Sequence, residues 1–515
     1  MTMKQIIYTC LFIITLGLMS CYDDQGNYDY HDINEITFGI IDSVFNVLMD
    51  TDTLKIEPII NMTDADITDT VRFKYAWVIV ADVNNKDTIS TQRVLNYPVK
   101  LLPGTYDLWL KIKDLETEVV WKKEFSVTVG TPYSKGILLV GEDESGVVDI
   151  SMISMAGSDT IVYKNLLKDS NLSTLTDPIA FLHTGGNVFN YEANTKVWLF
   201  TESGSYYLDR TTLQGDESNV FEDLLLLDWN EPMIPVNMAS EQKNINGDLA
   251  NNSKRAFVCS NGYLFFNSMW IGGDYYGEPI NCLQSNTDEL FPTSRYLFYS
   301  INSFKNLIWY DTENDRFFKA VSEVSNYSEL LPEKESNLFP WDQKGTGRKL
   351  IYGENTWNTD GGSVDGNSFA LMSDGTNAFI YKFYPNSLEQ RALYEVLPLA
   401  TGFLQADAYA FSSTRTVVFY VFNDQLYAYD YNPGHESLRV IPLETTGEIT
   451  MIKFDLTMEP KADALWIATY NSQDGGTLQK YYVGNNPNMV ELNVDPDAVY
   501  TGLNKVRNMS WRAKL

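Results

Sequence analysis

The sequence predicts an all-β protein, with an N-terminal immunoglobulin-like sandwich followed by a β-propeller of about seven blades. Three observations carry this. Tyr (32) and Phe (26) dominate the aromatic residues of the 515-residue chain, a composition that suits pleated strands better than helices. Between residues 35 and 130, short β-rich runs alternate with Asp/Asn or Pro-Gly turns. After residue 131, one hairpin pattern recurs along the chain.

The chain opens with Lys4 and an apolar run from Ile6 to Met19, which has the form of a secretory signal over residues 1–20. The run is shorter than the roughly 20 residues that span a bilayer as a helix. Leu18-Met19-Ser20-Cys21 resembles a bacterial lipobox, so Cys21 is the expected lipidation site, against an ordinary signal peptide with an incidental cysteine. Residues 21–34 then form an acidic tether, with Asp23 and Asp24 beside the lipid and a flexible Gln25-Gly26-Asn27. Such tethers resemble surface-export signals, which points to the outer face of an outer membrane.

Residues 35–130 carry β-rich runs at 53–60, 71–80, 105–113 and 119–129. The stretch from Arg72 to Trp77 alternates charge with bulk, and Pro103-Gly104 turns the chain into a further period-two strand. No cysteine pair crosses this segment, so Trp77 is expected at the centre of the sandwich core. Gly130-Thr131-Pro132-Tyr133 marks the boundary, because proline interrupts a strand.

Residues 131–515 repeat a short apolar strand, a polar turn and a second strand rich in Tyr or Phe. The units are 136–148, 196–209, 255–267, 296–318, 349–383, 416–431 and 464–483. They recur at about 55 residues, near the ~40–50 of propeller blades once loops are allowed for. Radial repetition also protects the strand edges of so long an all-β segment. Tandem sandwiches are the competing architecture. The segments 218–227 and 387–397 read as short helices within loops.

The mature start from Cys21 to Ile36, together with Tyr75-Ala76-Trp77 and Pro103-Gly104-Thr105-Tyr106, resembles the PKD-like family lipoproteins. The resemblance implies a surface lipoprotein of Gram-negative anaerobes, associated with a starch-utilisation-type outer-membrane transporter and its binding lipoprotein. It brings no catalytic motif.

A net charge of −30 repels phosphate backbones, so nucleic acid is not an expected partner. His31, His183 and His435 form no zinc motif, and no GxSxG elbow is present. No metal or other cofactor is expected. Asn358 to Asn367 offers oxygen ligands on a Gly-rich loop but lacks a calcium-loop register, and reads as a solvated turn. Cys259 and Cys282 are either a disulfide or two buried thiols. Aromatic residues beside glycines suit sugar rings or apolar peptide side chains. Trp270, Tyr275 and Tyr276 are the first such cluster, expected on an exposed loop, with Trp357 second. Core packing is the competing role for each.

Together these features lead to a non-catalytic surface lipoprotein that binds a glycan or peptide for uptake. The alternatives are an extracellular propeller hydrolase or lyase acting on polysaccharide, and an assembly partner of the transporter complex. A Cys21→Ala substitution is expected to release the protein from membranes; fractionation in which the variant still pellets with the outer membrane would discard the lipid anchor.

Overall fold

The computed structural model describes Met3 and residues 34–81, 86–184, 195–239, 254–269, 273–459, 461–486 and 488–512. The signal segment, Cys21 and nearly all of the tether lie outside the described residues, as does Trp270. The described chain is all-β. Its helical elements are four 3-10 turns, and none of its helices is long and apolar enough to cross a membrane.

The chain divides into two compact units. The first takes the residues up to Thr128 except Val47–Asp52 and Val99–Gly104; the second takes those two segments and Val129–Leu515. In the first, a five-stranded sheet runs in the order Val44–Leu48, Val120–Gly130, Gly104–Asp114, Phe73–Val80, Lys86–Ser90. Two short ribbons accompany it, Ile36–Phe38 with Ile60–Met62 and Thr53–Ile56 with Leu95–Pro98. Period-two alternation buries Leu108, Leu110 and Ile112 on one face of the sheet. Trp77 is fully buried, 5.6 Å from the Phe125 ring, and its Nε1 donates to the Gln92 carbonyl at 2.9 Å. Asp114 continues the inward series. Arg72 forks it at 2.7 and 3.1 Å and holds its carboxyl below the ordinary value.

The second unit is a seven-bladed propeller. Seven sheets follow one another, and each contains one of the seven hairpins read from the sequence. The hairpins have local causes. Between Val417–Phe422 and Gln425–Asp430 the turn is only Asn423-Asp424, at φ 50° and 56°. Two left-handed residues give the turn whose twist matches paired strands, and Asn and Asp tolerate that conformation best after glycine.

Blade 1 consists of Gly136–Glu142, Val148–Ser154 and Ile161–Tyr163, and its fourth strand is Lys505–Arg512 from the far end of the chain. The inner strands of blades 2 to 7 are Pro178–His183, Pro235–Ala239, a short piece around Phe298, Lys349–Asn355, Ala408–Phe411 and Glu448–Phe454. In blade 4 the inner piece is held by the reciprocal backbone bonds of Phe298 and Ile308, both 2.9 Å.

Seven apolar clusters fill the unit, each drawn from two consecutive blades. Strands such as Val197–Thr201 and Ala378–Tyr384 are buried along their whole length because both faces meet a neighbouring blade. That is why these runs show no alternation in sequence. Aromatic pairs fill the gaps between sheets, as with Trp309 on Phe318, whose centroids are 4.5 Å apart and nearly parallel.

The structure corrects both loop helices. Only Phe221–Leu224 makes a 3-10 turn, and Leu225 then pairs with Tyr276. Glu389–Glu395 is the outer strand of blade 5, because pairing with Ala378–Tyr384 outweighs its helical propensity. Cys259 and Cys282 are two buried free thiols. The Cys282 Sγ lies 3.1 Å from the Asn326 carbonyl, and burial raises its pKa to about 11.

Removing residues 505–515 is expected to strip blade 1 of its inner strand and expose the edge of Gly136–Glu142. Thermal unfolding of the truncated protein should lose its cooperative transition; an unchanged melting profile would show that this strand does not close the ring.

Candidate functional site: the axial channel

The inner strands surround a cavity of about 870 Å³ to which all seven blades contribute. Neighbouring inner strands run the same way, as their cross-blade bonds record. The Asn508 and Ser510 side chains donate to the Ile179 and Phe181 carbonyls, and those of Thr450 and Lys453 to the Val506 and Met509 carbonyls. The starts of the inner strands therefore gather at one mouth and their ends at the other.

The first mouth is charged. Arg507 forks Glu142 at 2.6 and 2.9 Å, Arg295 meets Glu202 at 2.6 Å, and Asp177 and Asp407 lie beside them exposed. The second mouth is lined by Ile301, Leu456, Met458 and Trp511. Beside it the Trp357 indole donates to the Leu456 carbonyl at 2.8 Å, while the Trp357 backbone N–H donates to Ser413 at 3.1 Å. A residue of blade 5 thereby spans blades 6 and 7.

The middle of the channel is aromatic and carries one notable carboxyl. Tyr296, Tyr352 and Tyr409 come from three successive blades, with Tyr352 centroids 5.4 and 5.3 Å from the other two. Glu354 accepts from the Phe411 N–H at 2.8 Å and from the Tyr352 hydroxyl at 3.1 Å. Burial pushes its carboxyl up to about 8, and those two bonds only partly oppose the shift. Gly353 makes this arrangement fit. A Cβ there would stand 2.7 Å from the Phe298 ring and 2.8 Å from the Tyr296 Cβ, so only glycine lets blade 5 approach blade 4 this closely.

Most polar side chains on the inner strands bond to a neighbouring blade. Asn237 donates to the Arg295 carbonyl at 2.6 Å, and Asn355 to the Leu297 carbonyl at 2.8 Å. Asp463 accepts the Ser413 N–H at 2.9 Å. What remains for a ligand is a neutral, aromatic and amide-lined wall. No group of three or more metal-ligating side chains occurs among the described residues.

The aromatic-glycine loop lies elsewhere. Tyr275 is exposed beside Leu226 and Leu227, which are also exposed, and does not line the channel. Tyr276 departs from expectation: it is fully buried among Phe221 and Phe257, with centroids at 5.3 Å. Its hydroxyl donates to Asp274 at 2.9 Å, and Asp274 is held in turn by Lys196 at 2.8 Å. A tyrosine with its hydroxyl satisfied is a core residue, whatever its neighbours in sequence. Within 358–367, Asn358 and Asp365 are buried and their side chains are engaged within the protein: Asn358 bonds Asn367 at 2.8 Å, and Asp365 accepts from Tyr384 at 2.6 Å. Glu354 and the channel tyrosines carried no sequence signal, since both sides of an inner strand are half-buried and nothing marks the side that faces the axis.

The sequence profile of the PKD-like family matches residues 21–177, which extends past the sandwich through the first three strands of blade 1. No curated protein matches the chain. Among solved structures, a quinonprotein alcohol dehydrogenase-like protein from Bacteroides thetaiotaomicron is 13% identical with a TM-score of 0.36, covering 94% of this chain and all of that one. An ancestral GH74 enzyme is 9% identical with a TM-score of 0.38, over 78% of this chain and 55% of that one. A surface component of the type-IX secretion system of Porphyromonas gingivalis is 12% identical with a TM-score of 0.31, over 74% and 43%.

Glu354 sets a pH signature. Its folded pKa lies above the unfolded value of 4.5, so the folded state binds the extra proton. Its favourable contribution is complete below about 4.5 and is lost as pH rises towards about 8. Glu354→Gln is therefore expected to gain stability relative to the parent between pH 5 and 9, read by denaturant midpoints; parallel midpoints across that range would show an ordinary carboxylate. The chain thus carries a PKD-like N-terminal segment joined to an all-β propeller.

Proposed function

We propose that this protein is a non-catalytic surface lipoprotein whose propeller binds a neutral ligand in the axial channel, as an accessory to nutrient uptake. The observation that carries the proposal is the lining of the channel. Tyrosine faces and amides from successive blades surround about 870 Å³, while the charged groups pair with each other at one mouth. Flat aromatic walls with few charges suit glycans and uncharged peptides. Anchorage through Cys21 on the exterior of the outer membrane, beside a transporter and its binding lipoprotein, rests on the lipobox-like start and the family resemblance.

A glycan and peptide binding screen on the purified protein, with turnover assayed in parallel, tests this reading. Tyr299 lines the channel, and truncating a central aromatic contact typically costs about 2 kcal/mol. Tyr299→Ala is accordingly expected to weaken binding about thirtyfold, with Trp270→Ala and Tyr275→Ala close to the parent. The reverse pattern would move the site to the outer loop, and product formed from any polymer would overturn the non-catalytic reading.

One observation favours a hydrolytic alternative: a carboxyl held protonated near neutral pH is what a general acid requires. In that case Glu354→Gln would abolish turnover of a polysaccharide while leaving its binding intact.

A further inference from the structure

Arg512, the last residue of the strand that closes the ring, is 1% exposed. Its Nη2 donates to the Arg210 carbonyl at 2.8 Å, but its Nε and Nη1 are buried with no hydrogen-bond partner. Arg210 follows the third strand of blade 2, Ser205–Leu208, and its own Nη1 is likewise buried without a partner. Neither guanidinium has an ion-pair partner among the described residues. Asp209 is the nearby carboxylate, and its Oδ1 is occupied by the turn it caps, accepting the Thr211 and Thr212 N–H groups at 2.8 Å each.

An arginine buried without an anion is costly, because guanidinium loses its hydration and gains no counter-charge. Here a second guanidinium stands near the first. Burial, and then the Arg210 charge, push the Arg512 pKa down to about 9. Like charges held together with three unused donors are poorly suited to an empty core and well suited to an oxyanion, which accepts several N–H bonds and carries the opposite charge.

We propose that Arg512 and Arg210 form an enclosed site, between the closing strand of blade 1 and the turn after the third strand of blade 2, for a small inorganic oxyanion of the phosphate or sulfate class. The ion would join the chain's last described strand to blade 2 and act as a structural counter-ion at the ring closure. Enclosure favours a free ion over a phosphate ester, whose organic arm needs an exit.

The purified protein tests this. On acid denaturation it should release about one equivalent of phosphate or sulfate, read by ion chromatography; after exhaustive exchange into chloride it should bind inorganic phosphate with saturable heat and a raised melting temperature. Arg210→Gln should weaken that binding by roughly tenfold or more. Arg512→Met should abolish it, yet melt no lower than the parent in chloride, because it removes an uncompensated buried charge. Absence of both release and saturable binding in the parent overturns the site, as does parental phosphate affinity in Arg210→Gln, which stands even if Arg512→Met fails to fold. Glycerol 3-phosphate binding as tight as phosphate would also overturn it, in favour of an open headgroup site.

Discussion

The pairing of Lys505–Arg512 with Gly136–Glu142 is the constraint on which the propeller unit depends. Each blade presents two apolar faces and buries them only against its neighbours, so an open row of seven sheets would leave two faces in water. Closing the row removes both at once, and the closing strand comes from the opposite end of the chain. Loop-closure entropy grows only slowly with length, so a contact this distant in sequence remains affordable once the apolar clusters on either side are complete. Trp511, Met509 and Val506 on one side and Ile137 and Leu139 on the other join the cluster shared with blade 7.

Closure determines the chemistry of the axis. Seven inner strands converging on one line bring their polar side chains within reach of adjacent backbones, and most are used there. The carbonyl and N–H groups exposed along an inner strand otherwise lack a sheet partner on that side, and an unmet buried backbone group costs about 1–3 kcal/mol. Asn508, Asn237, Asn355 and Asp463 each answer such a group on the next blade. Glu354 does the same for Phe411, and its raised pKa follows from the burial that this bond requires. The channel is therefore neutral along its middle in a protein of net charge −30, whose excess carboxylates stay at mouths and loop tips.

The first unit solves its core differently. With no disulfide to organise it, Trp77 and Phe125 supply the bulk and the Arg72–Asp114 fork ends the inward-facing row. The pair sits at a strand end, where Arg72 keeps partial contact with water. That placement limits the desolvation cost that a fully interior ion pair would carry.

Fold class was legible because it depends on local signals: period-two alternation in the first unit, and hairpins whose turns, such as Asn423-Asp424, are encoded within a few residues. The seven hairpins were readable one by one, and so was Trp77 as a core residue. Aromatic residues beside glycines, however, are written alike whether they face solvent or core. Tyr276 is buried by a pairing with Leu224 to Leu226 that no local pattern announces. The two thiols Cys259 and Cys282 could not be resolved from spacing, because separation in space decides the bond. The sequence by itself determined which segments become strands and where they turn, since those choices are made by neighbours along the chain. Only the tertiary structure decided that the last strand completes the first blade, that Glu354 meets Tyr352 and Phe411, and that Arg512 comes to rest beside Arg210. Those contacts join residues far apart in sequence, and they exist only once the ring has closed.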